Sequence, residues 1–136
     1  MKKQLLLILA ALLPMVANAD ESGTCGTNLT WVYYESTHSL VISGSGDMYN
    51  FNTAYSSSTP PWYKYQNDIV GVALPEGLTS IGNYAFYGCN CLTSVLIPNS
   101  VKSIGKQAFY ECSGLISVTI PNNVTSIGYA AFESCI

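Results

Sequence analysis

The chain has 136 residues, of which only 10% are charged, with five lysines, eight carboxylates and no arginine. That length suits a single domain. The acidic balance lacks the cationic footprint that nucleic-acid binding requires, and it disfavours adsorption to an anionic membrane.

The first element in chain order is a targeting segment. Lys2 and Lys3 precede an apolar run from Leu5 to Leu13, and Ala17-Asn18-Ala19 places small residues where a signal peptidase reads. Residues 1–19 are therefore expected to be a secretory signal, with the mature chain starting near Asp20. A membrane anchor is the alternative, but the run falls short of the ~20 residues that span a bilayer. No membrane span is expected after cleavage. Cleavage leaves three lysines against all eight carboxylates, a balance of −5.

Residues 20–68 form the second segment. LTWVYY (29–34) and SLVIS (39–43) alternate apolar and polar positions around Glu35-Ser36-Thr37-His38. This predicts a β-hairpin with Leu29, Trp31 and Tyr33 on the same face as Leu40 and Ile42. Met48, Tyr49 and Phe51 add apolar surface. Ser56 to Pro61 is expected to be a loop, and Trp62, Tyr63 and Tyr65 follow it. The segment is expected to cap the apolar end of whatever follows. A sugar-binding platform built from Trp31, Trp62 and the tyrosines is the alternative, to be recognised by exposed coplanar rings.

From Ile69 the chain repeats itself. IVGVALPEGLTSIGNYAFYGCNC (69–91), LTSVLIPNSVKSIGKQAFYECSG (92–114) and LISVTIPNNVTSIGYAAFESCI (115–136) align without a gap at a period of 23 residues, the last incomplete. Pro75, Pro98 and Pro121 align, as do Ile81, Ile104 and Ile127, then Gly82, Gly105 and Gly128. Phe86, Phe109 and Phe132 align, and so do Cys89, Cys112 and Cys135. The opening alternation, as in Val95 and Ile97, is that of a strand with one buried face. Proline ends it, because proline cannot donate to a ladder. A second extended piece carries Val101 and Ile104 inward. Gly105 is expected to relax the backbone limits at a bend. Ala108 and Phe109 are expected to begin a compact return of about one helical turn, which Cys112 closes. Such a block cannot bury its own apolar face, so blocks must stack. The fold class expected is a β-rich leucine-rich-repeat solenoid with an N-terminal β-hairpin cap.

These blocks resemble the BspA-like leucine-rich repeat family of bacterial and protozoan surface proteins. The resemblance extends upstream through GTCGTNLTWVYYESTHSLVISGSGDMYNF and PWYKY. It implies an extracellular or surface-exposed protein, and some members are implicated in adhesion to host matrix proteins or other cells.

Candidate chemistry is sparse. His38 is the sole histidine and lies in a predicted turn. The carboxylates are scattered, with no reason to choose the positioned pair a glycosidase needs. Equivalent residues on stacked strands lie about 4.8 Å apart. A linear row of Cys89, Cys112 and Cys135 at that spacing is neither a tetrahedral metal site nor a set of disulfide partners. These three are expected to be buried thiols. Cys91 lies outside that row, and Cys25 could pair with it. With five cysteines downstream of the signal, at least one stays unpaired within a monomer. No catalytic residue, cofactor or metal site is assigned.

Binding is expected on the strand positions that point away from the core. By alignment these are Val70, Thr93 and Ile116, then Gly71, Ser94 and Ser117, then Ala73, Leu96 and Thr119. Thr93, Ser94, Leu96, Ile116, Ser117 and Thr119 are the candidate ligand face, with plain solvated surface as the alternative. Tyr87 and Tyr110 should stack on another edge. The function expected is a secreted or cell-surface binding module, not an enzyme, for a protein or glycan on a host or neighbouring cell. The alternative is a structural spacer in a larger secreted protein. The third block ends without a polar capping sequence, so further repeats are expected to follow.

Overall fold

In a computed structural model of the chain, residues 20–53 and 55–135 are described, and the expected signal at 1–19 lies outside the described residues. The chain is rich in short strands. Among the described residues no helix is long and apolar enough to cross a membrane.

The N-terminal part is a three-stranded antiparallel meander: β1 (Glu21–Gly26), β2 (Leu29–Tyr34) and β3 (Ser39–Asp47). The expected pairing of β2 and β3 is present, with Trp31 opposite Ile42 and Tyr33 opposite Leu40. Leu29, Trp31, Tyr33, Leu40 and Ile42 are all buried on one face. β1 was not anticipated, because ESGTCG has no apolar alternation; of its side chains only Cys25 is buried. Its place is fixed by backbone pairing to β2 and a bulge between Thr24 and Gly26. A half-exposed contact ties it to the downstream chain. Glu21 accepts from the Tyr65 hydroxyl at 2.5 Å and pairs with Lys64 at 2.8 Å. The hydrogen bond from Lys64, followed by that from Tyr65, lowers the Glu21 pKa. The same contact, with Glu21 accepting, pushes Tyr65 up to about 12.

β3 is the hinge of the architecture. At nine residues it is long enough to pair twice. Its first half runs parallel to β4 (Gly71–Ala73), and its second half runs parallel to β5 (Gly77–Ile81). Two ladders continue from it. β6 (Ser94–Leu96) lies beside β4 and pairs in parallel with β8 (Ser117–Thr119), Ser94 opposite Ser117 and Leu96 opposite Thr119. The second ladder runs from β5 to β7 (Ser103–Ile104) and β9 (Ser126–Ile127), with Ser80, Ser103 and Ser126 in register. Parallel strands need a crossover. Each crossover here is the remainder of one repeat.

The return segment contains no helical turn. It is a third ladder built from turns. Phe86 N–H donates to Ala108 O at 2.7 Å, and Gly88 N–H to Tyr110 O at 2.8 Å; the intervening Tyr87 and Cys89 bond three residues back, to Tyr84 and Phe86. The next repeat does the same: Phe109 N–H reaches Ala131 O and Glu111 N–H reaches Glu133 O, while Tyr110 and Cys112 close locally. Alternate amides therefore point along the stack, which a helix would forbid. The backbone achieves this with left-handed residues at two equivalent places: Tyr84, Gln107 and Ala130, then Gly88, Glu111 and Ser134. Only Gly88 is free of the Cβ penalty of roughly 1–2 kcal/mol.

The aligned glycines serve another purpose than the one the sequence suggested. Gly82, Gly105 and Gly128 do not have positive φ. A Cβ on Gly82 would lie 1.8 Å from Tyr49 O; one on Gly105, 2.5 Å from Asn83 N; one on Gly128, 2.4 Å from Lys106 N. Each glycine permits contact between one repeat and the backbone of the preceding turn of chain.

The core is a set of columns. Trp62, Phe86, Phe109 and Phe132 stack in sequence at 5.7, 5.2 and 5.2 Å between centroids. Such contacts add about 0.5–1.5 kcal/mol each beyond burial. Trp62 therefore occupies the phenylalanine column ahead of the first aligned block. Its Nε1 donates to Ala85 O at 2.8 Å. Beside this column stand Ile81 and Ile104, both buried, whereas Ile127 is 49% exposed.

Candidate functional site

The two strand ladders present two different surfaces. The first carries the face expected from the alignment. Thr93, Ser94, Leu96, Ile116, Ser117 and Thr119 all lie exposed on or beside β6 and β8. Alternation is the reason: Val95 is buried, so its neighbours Ser94 and Leu96 face outward. Leu96 is 81% exposed and Ile116 85%, and Val70 joins them upstream. Thr93 O accepts from Ile116 N–H at 3.1 Å, which holds that row across the rungs. The strip has no charged side chain; hydroxyls surround its apolar groups. It continues onto a shallow recess over Ser39, Leu40, Val41, Gly71, Val72 and Ala73, where β3 meets β4.

The second ladder carries a groove that sequence reasoning missed. It has a volume of about 490 Å³ and is lined by Asp47, Asn50, Ser80, Asn83, Ser103, Lys106 and Ser126, with Met48, Ile81, Ile104 and the half-exposed Ile127 between them. Its polar groups repeat by rung. Asn50 Oδ1 accepts from Asn83 N–H at 3.0 Å, and Asn83 Oδ1 accepts from Lys106 N–H at 2.8 Å. Thr79 Oγ1 donates to Asp47 Oδ1 at 2.6 Å. A signal for this groove was available. The Ser-Ile-Gly triplet is identical in all three blocks, and its serine is the outward position.

The other expectations resolve as follows. Trp31 and Trp62 are buried and meet edge to face at 5.8 Å, so they form no exposed sugar platform. Tyr87 and Tyr110 do stack, at 5.1 Å and 14°. His38 lies in the expected turn but is half-buried with φ 52°; its Nδ1 lies 3.1 Å from the buried Tyr33 hydroxyl, and its carbonyl accepts from Val70 N–H. All five cysteines are free, so Cys25, buried, and Cys91, exposed, remain unpaired with each other. Cys112 Sγ donates to Phe86 O at 3.1 Å and Cys135 Sγ to Phe109 O at 3.0 Å. Desolvation pushes the thiols of Cys25 and Cys89 up to about 12, and Cys112 higher still. Cys112 and Cys135 thus act as structural donors, and all of these raised thiols lie far from the thiolate state that nucleophiles and metal ligands require. No group of three or more histidine, cysteine or carboxylate side chains converges among the described residues.

Repeated parallel rungs, a phenylalanine column and turn-built returns define the leucine-rich-repeat class. The family model for the BspA-type leucine rich repeat region matches residues 62–136 in six copies, and the chain belongs to that family. It is similar to the solved structure of a leucine-rich repeat protein from Eubacterium ventriosum ATCC 27560, at 31% identity and a TM-score of 0.70. That match covers 83% of this chain and 30% of the other, so this chain spans under a third of that protein's length. It is also similar to a leucine-rich repeat protein from Bacteroides ovatus ATCC 8483, at 34% identity and a TM-score of 0.51, over 52% of this chain and 18% of that one. No curated protein gives a significant match.

Proposed function

We propose that this chain is an exported, non-enzymatic binding module: a solenoid of 23-residue repeats, capped by the N-terminal meander, that docks a protein partner on its first ladder. The observation that carries this reading is the exposure of Leu96 and Ile116 on one uncharged strip. An isolated exposed leucine means little, but apolar groups gathered on one face and rimmed by hydroxyls mark an interaction surface. A rigid ladder holds these side chains in place before binding, so little entropy is lost when a partner docks. Export rests on the signal-like residues 1–19 and on the surface habit that the family resemblance implies.

The test uses a panel of immobilised extracellular-matrix proteins. The mature chain is expected to bind at least one of them, and Leu96→Glu with Ile116→Glu is expected to weaken that binding at least tenfold. Both sites are exposed, so the thermal midpoint should hardly move. Binding to none of the panel, or binding indifferent to the double substitution, would contradict the proposal.

A further inference from the structure

We infer that the groove on the second ladder is a separate binding site, and that it takes a linear, uncharged, hydroxyl-rich chain, an oligosaccharide, laid across successive rungs. The argument begins with translation. Ser80, Ser103 and Ser126 sit in register on β5, β7 and β9, so their hydroxyls recur at the strand spacing of about 4.8 Å. Asn50 and Asn83 flank this row. Both use the side-chain oxygen to accept a backbone N–H from the next turn of chain. That commits each Oδ1 and leaves the Nδ2 donors of these two groove-lining residues for a ligand. The result is a row of hydroxyls, which donate and accept, beside a row of donors. A ligand matching it must itself repeat the same polar pattern at a short, regular interval.

Charge and backbone narrow the class. Asp47 and Lys106 are the charged lining residues, one of each sign. Asp47 is engaged by Thr79, and Lys106 lies over the Tyr84 ring at 5.5 Å. A polyanion would find one cation and one carboxylate, so phosphorylated or sulfated chains are poorly matched. An extended peptide commonly gains affinity by adding main-chain bonds to an open sheet edge. Here the floor runs across β5 and β7 to β9, the edge strand among the described residues, and its amides are already engaged: Lys102, Gly105, Thr125 and Gly128 donate to the preceding turn at 2.8 Å, so a peptide laid across the rungs would find those donors taken. An apolar ligand would meet serines and asparagines along most of the groove, because Met48, Ile81 and Ile104 are buried beneath it and only Ile127 is substantially exposed. Hydroxyl-rich sugar units satisfy both rows without disturbing the ladder, and a groove of about 490 Å³ accommodates a short oligomer.

This groove and the apolar strip lie on different ladders, so each can fail without the other. The probes are neutral linear oligomers of two to six units: β-1,4-linked glucose, N-acetylglucosamine and mannose. Binding is read by amide and side-chain NMR shifts. At least one series should produce saturable shifts at Ser80, Ser103 and Ser126 and at the Asn50 and Asn83 side-chain amides, with affinity rising at least tenfold from two to four units. Ser103→Leu fills the middle rung and should abolish these shifts. Ser126→Leu, at the more exposed rung, should shorten the dependence on oligomer length, and Ser94→Leu on the first ladder should change nothing. Circular dichroism of each variant confirms folding. The inference is overturned if no neutral oligomer shifts the groove at millimolar concentration. It is equally overturned if the shifts map to β6 and β8, if Ser103→Leu and Ser126→Leu both fold yet leave binding intact, or if only a charged oligomer or a peptide occupies the groove.

Discussion

Between Glu21 and Asp47 the chain pairs antiparallel with its sequence neighbours, across turns of a few residues. From Gly71 onward the strands pair only in parallel: β4 and β5 with β3, and then β5 with β7, β7 with β9 and β6 with β8, each an equivalent strand one repeat away. The meander makes its core from unlike residues, with Trp31, Tyr33, Ile42 and Met48 filling irregular space, whereas the repeats use the same residue type at each level. On the proposed reading of the meander as a cap, it provides what an array of repeats lacks: a first surface against which to stack. β3 supplies it by pairing backward with β2 and forward with both β4 and β5. Trp62 supplies the matching ring for the phenylalanine column.

If that handover is real, damage on either side of it should be felt alike. Phe109→Ala should cost about 3–5 kcal/mol, as deletion of a buried aromatic does. Trp62→Ala should cost a similar amount, although Trp62 precedes the aligned blocks, and urea unfolding measures both. A loss near zero for Trp62→Ala would separate the meander from the stack.

A smaller effect compares the buried thiols, Cys25 in the meander and Cys89 in the repeats. Both have folded pKa values pushed to about 12, against about 8.5 unfolded. A raised folded value means that the stabilisation is complete below the unfolded pKa. It is lost as pH rises from there toward the folded value. Each thiol should then remove about 1.4 kcal/mol per pH unit. Cys25→Ala and Cys89→Ala should each flatten the fall in stability between pH 9 and pH 10.5, to a similar degree, in denaturation run under reducing conditions. Flattening by one substitution alone would break the equivalence.

The smallest effects test the left-handed residues. Glu111 repeats the position of Gly88 with φ 59°. Glu111→Gly should raise stability by a few tenths to about 1 kcal/mol, the relief of the Cβ clash less the entropy of glycine. His38→Gly in the meander should gain less, because it also removes the partner of the Tyr33 hydroxyl. Thermal melts order the two.

Much of this fold is legible in the sequence because its signals are side-chain patterns. The alternation in LTWVYY and SLVIS gives β2 and the start of β3, and the aligned Val, Ile, Phe and Cys give the columns. What escapes is written in the backbone. β1 is placed by main-chain pairing and by Cys25, with no alternation to betray it. The left-handed sites at Tyr84, Gln107 and Ala130 carry no glycine to mark them. Trp62 stands 24 residues before Phe86, one more than the period, and a gap-free alignment passes over it. The exposed strip was found because alternation says which strand residues face out. The serine groove was overlooked because its row is polar and no apolar template selects it.

The most direct test of the shared stack is native-state hydrogen exchange under rising denaturant. Amides of Leu40 and Ile42 on β3, of Ile81 and Ile104 on the second ladder and of Phe86 and Phe109 in the return segment should converge on one opening free energy, as for a single cooperative unit. Exchange of the Ile104 and Phe109 amides through a separate, much lower-energy opening, while Leu40 and Ile42 stay protected, would show that the meander folds without the repeats and would contradict the handover through β3.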